Sequence, residues 1–584
     1  MSTTETPLPS LVVTSAIPSA LVAHQVFRKH ETYSILVHAF LLLGPPAIIA
    51  GYLTSASIST STFANAFQVA CATYLGTLSL SVVAYRLSPW HPLARYPGPF
   101  LWRVSMLFPA LESTTGGRAK SIRALHAKYG DVIRVGPNEL DIVDASAIPT
   151  VFGIPGVPHG PDYIGGMLSD QNLPMVGIMD GDEHLSRRRP WNRGLAPSAL
   201  KEYEPRVRAR GNQLLTRLGE QNGEVVLGKW FNYFSYDFMC DMAFGGGSEL
   251  LRDGDKNNVW HMLEQAMPLA TFFAQLPWLA IYVGYIPGAA VPLNMLFRHA
   301  RALAQGRVDR GSTARDLFHY LQNNEDLQHK PAPPTRQLVD DGILAVVAGS
   351  DTTSSSLTSL FFLILTHPDV YARLQEEVDK YYPKGEDVFD PKAHRDMHYL
   401  QAVINEALRL FPPVAATGMR KVPHDAPPLQ LGSIMVPPGT GVRMPAFTHQ
   451  QDRRYFSFPT TFWPERWLAA SGTIALPTAL ARLPPTSVRD PPLSPSALAA
   501  LKEQADGPSA LTHVELAFTP FSHGPMNCPG KGLAMLETRT VVCAVLQRFR
   551  VRLRPEWDPA EYDRGYLDYF SATRPALPVL LEER

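Results

Sequence analysis

The sequence predicts a mainly α-helical body with a small β region, preceded by N-terminal transmembrane helices. Three observations support this fold class: uncharged apolar stretches near the start of the chain, one hairpin pattern after them, and helical patterns separated by proline-rich loops in most of the remainder. Of the 584 residues, 45% are hydrophobic and 18% are charged. The charged fraction is below the roughly 25% that is usual in soluble domains, and part of the deficit lies in the N-terminal region.

The charge balance and the cysteines narrow the class of protein. Basic and acidic residues number 53 each, so a nucleic acid is not expected as the main partner, because its phosphates attract a basic excess. The four cysteines, Cys71, Cys240, Cys528 and Cys543, form no C-x-x-C pair. This argues against a structural zinc site and against a disulfide scaffold. We therefore expect the body to face a reducing compartment.

Residues 1–95 are predicted to form a membrane anchor with one to three transmembrane helices. Residues 34–53 and 64–85 contain no formally charged residue, and each stretch has about the 20 residues needed to cross a bilayer core. A third stretch, 11–27, is weaker because it contains Pro18 and His24. One true span accompanied by interfacial helices is the alternative.

Basic flanks predict the orientation of the anchor. Arg28 and Lys29 follow the first stretch, Arg86 follows the last, and the loop 54–63 is uncharged. By the positive-inside rule, three passes place the large C-terminal part in the cytosol. The membrane is expected to be that of the endoplasmic reticulum.

Residues 96–584 are predicted to form the body. The link 87–100 contains four prolines and is expected to be a stiff, non-helical hinge. Apolar residues on both sides of the turn formers Gly136, Pro137 and Asn138 predict a β-hairpin. Residues 469–512, rich in Pro, Ala, Ser and Leu, predict a surface insertion with room for one short helix, because loops of this length are uncommon in compact cores.

One cysteine lies in a loop suited to an anionic sulfur. The stretch FTPFSHGPMNCPGKGLAMLE, residues 518–537, places Cys528 just before the start of an apolar helix. A helix N-terminus stabilises a thiolate through its dipole and its free N–H groups. Gly524 and Gly530 permit the close approach of a flat group. A structural buried cysteine is the competing interpretation.

This loop carries a family resemblance. Phe521, Gly524, Cys528 and Gly530 match the F-x-x-G-x-x-x-C-x-G haem loop of the cytochrome P450 family. The resemblance implies a mostly α-helical fold that binds haem b, with Cys528 as the iron ligand and Phe521 and Gly530 beside the cofactor. A thiolate on haem iron donates electron density that favours O–O cleavage, for which this family is the standard example.

A second motif lies in a long helix. Residues 336–366 contain no proline, and their centre reads AVVAGSDTTSSS. It resembles the A/G-G-x-D/E-T-T/S signature of the same family, which implies that Asp351 and Thr352 form the acid–alcohol pair that delivers protons during oxygen activation. The alternative is a Ser/Thr-rich helix face whose hydroxyls bond to carbonyls of the same helix.

A third motif pairs charges inside the body. Glu406 and Arg409 are spaced to share a helix face, and FWPERW, with Arg466, follows about sixty residues later. Most isolated pairs of this kind are surface pairs of little energetic value. Here the order resembles the family's buried Glu–Arg–Arg cluster, which implies a structural role.

Three basic residues are candidates to bind the haem propionates. The resemblance implies this role for His184 and Arg188, at the H-x-x-x-R spacing, and for Arg420. A solvated basic surface that meets an acidic redox partner is the alternative. The sequence departs from the family pattern at Met526, where the loop is usually basic, and Pro529 removes a backbone N–H next to the cysteine.

The resemblance implies monooxygenation of a lipophilic small molecule by hydroxylation or epoxidation, in specialised metabolism such as terpenoid biosynthesis. Electrons are expected from an NADPH-dependent flavoprotein reductase, since no Gly-rich nucleotide fingerprint is present in this chain. The alternative is a haem-thiolate isomerase or dehydratase that acts on peroxides without a reductase. A non-catalytic haem sensor or membrane scaffold is a third reading.

Overall fold

The structure is a computed structural model, and it describes residues 8–55, 62–154, 156–171, 173–221, 223–311, 315–322, 333–484 and 511–584. The helices of the N-terminal part are α1 Leu8–Lys29, α2 Ile35–Ser55, α3 Phe63–Leu87, α4 Phe100–Val104, α5 Leu107–Ser113, α6 Arg118–Tyr129, α7 Ile148–Phe152, α8 Asp162–Met167, α9 Gly181–Gly194, α10 Pro197–Gly219, α11 Leu227–Phe244 and α12 Leu250–Asp253. Those of the C-terminal part are α13 Val259–Gln275, α14 Pro277–Gly284, α15 Val291–Arg310, α16 Leu317–Leu321, α17 Thr335–Thr366, α18 Pro368–Tyr381, α19 His398–Leu410, α20 Ala446–His449, α21 Glu465–Ala470, α22 Leu476–Ala481, α23 Lys531–Arg548 and α24 Ala560–Gly565.

The strands form small sheets at the edges of this helical body, which confirms the predicted fold class. They are β1 Val132–Gly136, β2 Glu139–Ile142, β3 Glu224–Val226, β4 Arg420–Lys421, β5 Leu429–Leu431, β6 Ile434–Val436, β7 Gly441–Arg443, β8 Phe549–Leu553, β9 Leu567–Tyr569, β10 Ser571–Thr573 and β11 Pro578–Glu583. The largest sheet has the order β1-β2-β7-β4, and the next has the order β3-β11-β8. The predicted hairpin is the antiparallel pair β1–β2.

The three N-terminal helices pack against one another. Small side chains on α1, among them Ala16 and Ala20, are fully buried against α3, where Tyr74 is buried as well. Within the described residues, α2 and α3 are long and apolar enough to cross a membrane. α1 also forms a helix, of 22 residues, but it is less apolar than the other two.

The proline-rich link after α3 is docked onto the body. Leu93 and Tyr96 are buried in an apolar cluster with the first sheet, and the Tyr96 hydroxyl donates to the carbonyl of Met435 at 2.9 Å. The link is non-helical up to α4, as the prolines predict. Because Leu93 and Tyr96 are buried, the link is a fixed connection rather than a free hinge, although Trp90 within it is 83% exposed.

The core lies around the long helix α17. It spans 32 residues and agrees closely with the predicted helix 336–366. It packs along α11 and contacts α15, α19 and α23. Gly349 allows the close approach of α11, because a Cβ there would lie 2.6 Å from the Met239 sulfur. This packing fixes the centre of α17 inside the molecule.

The predicted insertion at 469–512 is described only in part. α22 lies within it, and its Ala479 and Leu480 are buried against Trp463. Residues 485–510 lie outside the described part of the chain. The short helix expected in this segment is therefore present, and it belongs to the packed part of the body.

Candidate active site

Cys528 lies in the loop that leads into α23, three residues before the helix begins. The backbone N–H of Cys528 donates to the carbonyl of Phe521 at 2.9 Å and closes the loop. The backbone N–H groups of Gly530 and Lys531 lie near the sulfur and lower the pKa of its thiol. Its side chain is accessible although protein surrounds it, so its exposed surface belongs to an interior cleft.

The electrostatic environment of the sulfur contains opposing effects. Burial raises the pKa of the Cys528 thiol, while the Gly530 N–H, Arg188 and Lys531 lower it, and burial prevails. The N–H donors expected from the sequence are therefore present, but they do not make the thiol unusually acidic by themselves. A bound cation would change this balance, because a thiol that coordinates a metal is deprotonated.

Glycine is needed at the two positions of the loop for different physical reasons. Gly524 has φ of 72°, and a Cβ there would lie 1.9 Å from the carbonyl oxygen of Phe152. It is therefore required by the backbone that packs against it. A Cβ on Gly530 would lie 3.8 Å from the Cys528 sulfur and meet no other atom within 4 Å. Gly530 thus leaves the clearance beside the sulfur that was expected of both glycines.

The centre of α17 presents the predicted acid and alcohol to different partners. The hydroxyl of Thr352 is accessible and donates to the carbonyl of Ala348 at 2.7 Å. Ser350 and Ser356 bond in the same way to carbonyls four residues earlier. The back-bonding of the alternative interpretation is therefore present, and in this geometry Thr352 is not hydrogen-bonded to Asp351.

Asp351 is engaged by a residue that the motifs did not indicate. Arg574, in the segment after β10, donates from Nη1 to Asp351 Oδ1 at 3.0 Å and from Nη2 to Ser354 Oγ at 2.5 Å. Both partners of the ion pair are nearly buried. They line a cavity of about 310 Å³ together with residues of α11 and α13, including Asn232 and Met267.

The predicted Glu–Arg–Arg cluster is assembled and fully buried. Glu406 accepts from Arg409 Nη2 at 2.8 Å and from Arg466 Nε at 3.0 Å, and all three side chains are inaccessible. The N–H of Trp463 and the indole of Trp467 also donate to this carboxylate. Burial alone would raise the pKa of Glu406, but the two guanidinium groups hold it at about 2.

The predicted basic residues lie together in the interior. His184 and Arg188 lie on the buried face of α9, and Arg420 is buried in β4. Burial, followed by the charges of Arg188 and Arg420, lowers the pKa of His184 to about 4. Burial lowers the pKa of Arg420 to about 10. This is the electrostatic signature of basic groups whose protonated forms share one low-dielectric region.

These groups contact the cysteine loop directly. Arg188 donates from Nη1 to the carbonyl of Asn527 at 2.6 Å and from Nη2 to its side-chain oxygen at 2.7 Å. Arg420 Nη1 lies 2.7 Å from the sulfur of Met526. The neighbouring Arg187 pairs instead with Asp341 of α17 at 2.9 Å. Two arginines of the run therefore point into the body, and Arg189 is exposed.

A model of the family described as Cytochrome P450 matches residues 97–575. The chain belongs to the cytochrome P450 family. It is 29% identical over 567 residues to Cytochrome P450 monooxygenase FCK2 of Fusarium pseudograminearum (strain CS3096), a match that covers 96% of this chain and 93% of that protein. It is 28% identical to Cytochrome P450 monooxygenase orf5 of Eupenicillium brefeldianum over 89% of this chain and 97% of that one. With Tryprostatin B 6-hydroxylase of Aspergillus fumigatus it shares 26% identity, over 88% and 84% of the two chains. This P450 is an oxidoreductase of the monooxygenase class.

The family implies a haem-thiolate cofactor, and the residues of this chain fit one. Cys528 offers an accessible sulfur in an interior cleft, and Gly530 leaves room beside it. Among the described residues there is no cluster of three His, Cys, Asp or Glu that could hold a metal ion. A porphyrin needs no such cluster, because its nitrogens supply the other ligands and the protein adds one axial group. The buried cations near Asn527 and Met526 suit anionic substituents on the ring.

Sequence reasoning missed two residues in this region. Arg574 gave no signal, because it is one arginine near the C-terminus with no motif around it. His159 lies between α7 and α8, and its ring is 5.0 Å from that of His184. Its position in HGPDY, just before a helix, carried no pattern that distinguished it from a loop residue.

Proposed function

We propose that this chain is a membrane-anchored haem-thiolate monooxygenase. It would insert one oxygen atom from O2 into a lipophilic small molecule by hydroxylation or epoxidation, in specialised metabolism such as terpenoid biosynthesis. Haem b bound at Cys528 would supply the oxygen-activating redox chemistry. The observation that carries the proposal is the Cys528 sulfur, which is accessible inside the body and has the backbone N–H groups of Gly530 and Lys531 beside it.

The roles of the protein's own groups follow from their positions. Cys528 would be the iron ligand, with Phe521 and Gly530 beside the ring. Arg188 supports the loop through Asn527, and with His184 and Arg420 it would bind the propionates. Glu406, Arg409 and Arg466 would keep the surrounding segments in place, since the two guanidinium groups also bond to carbonyls such as those of Gln450 and Phe458.

Proton delivery would involve Thr352 and Asp351. The accessible hydroxyl of Thr352 can exchange its bond to Ala348 for a bond to a water molecule, because hydroxyl groups rotate freely. Asp351 borders the 310 Å³ cavity beside Arg574. For a proton to pass between them, the Asp351 carboxylate would turn away from Arg574 or a water molecule would bridge the two groups.

The anchor would hold the enzyme in the endoplasmic reticulum membrane, with the body in the cytosol. Large apolar side chains on α2, among them Leu36, Phe40 and Ile48, are more than 60% exposed, as expected of a lipid-facing helix. Trp278 and Tyr285, on and after α14, are exposed as well, and His38 of α2 contacts Tyr282 there. This apolar surface beside the anchor suits substrates that partition into the bilayer and would line the path by which they enter.

Electrons would come from an NADPH-dependent flavoprotein reductase.

The test replaces the sulfur. In Cys528→Ala we expect a folded protein with little haem and no reductase-dependent turnover, because the iron loses its protein ligand. The measurement is the reduced carbon monoxide spectrum of the full-length protein, with Cys543→Ala as the matched control since Cys543 is buried 15 residues later on α23. A thiolate-type carbon monoxide spectrum that persists in Cys528→Ala would refute the ligand assignment. Substrate-binding spectra with lipophilic metabolites, followed by NADPH and oxygen consumption, would then identify the substrate, whereas turnover of a lipid hydroperoxide alone would contradict monooxygenation.

A further inference from the structure

The cysteine loop lacks a charge that the resemblance implies it should have. Met526 occupies the position that is usually basic, and its sulfur lies 2.7 Å from Arg420 Nη1. Arg188 already donates from both terminal nitrogens to Asn527 and from Nε to Asn192, so only one N–H on each terminal nitrogen is left for a propionate. Two propionates of a haem carry two negative charges, so a further donor close to Arg420 would restore the balance.

His159 lies beside Arg420. Its backbone forms a β-bridge with Arg420, and its ring stands perpendicular to that of His184, with the centroids 5.0 Å apart. The two histidines are 6% and 1% exposed, and Nδ1 of each ring has no hydrogen-bond partner in the structure. A buried ring nitrogen without a partner costs free energy, and here two adjacent rings have one each.

The surroundings of His159 favour an anion. Burial, then the charges of Arg420 and His184, lower the pKa of His159 to about 2. The nearby carboxylate is Asp162, but it is engaged with Arg443 Nη1 at 3.1 Å and with the N–H of Met419 at 2.9 Å. Four groups that can carry positive charge therefore share one buried region, and an anion placed among them would offset both burial and repulsion.

We propose that His159 is a donor to the haem propionates and takes the place of the basic residue that the loop lacks at Met526. This inference rests on the proposed haem function. His159 packs its ring against His184 and Tyr163. Its Nδ1 has no partner in the buried region that it shares with His184, Arg188 and Arg420, and there it could donate to a propionate.

The experiment compares two cofactors in the full-length protein. Each variant is loaded with iron protoporphyrin IX or with its dimethyl ester, in which both propionates are neutral, and the rate of porphyrin transfer to excess apomyoglobin is measured. The test variant is His159→Phe, which keeps an aromatic ring at the site. The matched control is His394→Phe, because His394 is equally buried at 6% and also has an unpartnered ring nitrogen, in the 3-10 turn Pro391–Arg395.

We expect His159→Phe to release iron protoporphyrin IX about tenfold faster than the wild type, which is the effect of one charge-assisted hydrogen bond. Release of the dimethyl ester should be unchanged, and His394→Phe should behave as the wild type with both cofactors. Adding Met526→Arg to His159→Phe should restore slow release of the natural cofactor.

The outcomes separate the two proposals. Equal acceleration with both cofactors, or no acceleration with either, would overturn the role of His159. Failure of Met526→Arg to restore slow release would overturn the claim that His159 replaces the missing loop charge. A wild-type protein that bound neither porphyrin would instead refute the proposed haem function.

Discussion

Thr352 satisfies a structural need of its helix and keeps a hydroxyl accessible for the proposed proton relay. Its hydroxyl donates to Ala348 in the same manner as Ser350 and Ser356 donate to their own helix. Unlike Ser350, which is fully buried, it is accessible. An accessible hydroxyl can give up a helix carbonyl for water at little cost, whereas a buried one cannot.

For Thr352→Ala we expect poorer coupling, with NADPH consumption retained, less product and more hydrogen peroxide. The reason is the loss of the hydroxyl that would relay protons. The ratio of peroxide formed to NADPH consumed measures it, and Ser356→Ala is the matched control because it removes another back-bonded hydroxyl from the same helix. An unchanged ratio in Thr352→Ala would count against the relay.

Arg574 is a second single residue whose replacement should have a measurable effect on stability. Its guanidinium pairs with Asp351 at 3.0 Å where the two side chains are 6% and 11% exposed. In Arg574→Gln the carboxylate keeps its burial and loses its cation, so we expect the free energy of unfolding to fall by about 1–3 kcal/mol. Thermal unfolding measures this fall.

A double-mutant cycle tests the origin of that effect. In an Asp351→Asn background the same Arg574→Gln substitution should cost little, because no buried carboxylate is left unpaired. An equal cost in both backgrounds would show that Arg574 stabilises the fold through its bonds to Ser354 and Asn232 instead.

At the scale of elements, the Glu406 cluster joins α19 to α21 and to the segment between them. Its carboxylate binds Arg409 of the first helix and Arg466 of the second, and both guanidinium groups reach carbonyls of the intervening chain, such as those of Gln450 and Phe458. A buried charge is costly unless it is paired and hydrogen-bonded. Here every partner is provided, so removing one leaves the others uncompensated.

We expect Glu406→Gln to lower the free energy of unfolding by about 3–5 kcal/mol, the usual cost of breaking a buried ion pair. The exposed Glu376→Gln on α18 is the control. Because the two arginines hold the folded pKa of Glu406 at about 2, below its ordinary value of 4.5, its stabilisation is present above that ordinary value and is lost as the pH falls towards 2. Unfolding midpoints across this range should fall more steeply in the wild type than in Glu406→Gln; parallel curves would contradict the assignment.

At the scale of the whole molecule, the anchor and the body are in contact. Arg86, at the end of α3, donates to the carbonyl of Val104 at 2.6 Å, and Arg134 of β1 donates to the carbonyl of Arg86 at 3.0 Å. Glu31, between α1 and α2, pairs with Lys421 beside the basic cluster. These contacts orient the body relative to the helices, so the apolar surface around Trp278 lies on the side of the anchor.

Ile48→Arg tests whether α2 lies in lipid. Ile48 is 64% exposed on a helix that is apolar enough to cross a membrane. An arginine near the centre of a membrane helix makes the free energy of insertion less favourable by about 2.5–3.5 kcal/mol. We expect a smaller fraction of the protein to resist carbonate extraction from membranes. Ile154→Arg, at a more exposed isoleucine of the body, should leave this fraction unchanged; equal extraction of both variants would contradict a lipid-facing α2.

The sequence by itself determined the features that depend on local pattern. The spacing of small, apolar and turn-forming residues located the anchor helices, the hairpin β1–β2, the helix α17 and the loop of Cys528. It also identified the three members of the Glu406 cluster, because their order along the chain matches a family motif. These features follow from the periodicity of the sequence and from short motifs in a fixed order, both of which can be recognised without a structure.

Tertiary structure alone decided which distant groups meet. Arg574 reaches Asp351 across 223 positions, and His159 joins His184 and Arg420 from a loop without a motif. It also decided the pKa of the Cys528 thiol, because burial raises this pKa by more than the N–H groups expected from the sequence lower it. The physical reason is that burial and long-range pairing depend on how helices and sheets pack, and no local pattern records that packing.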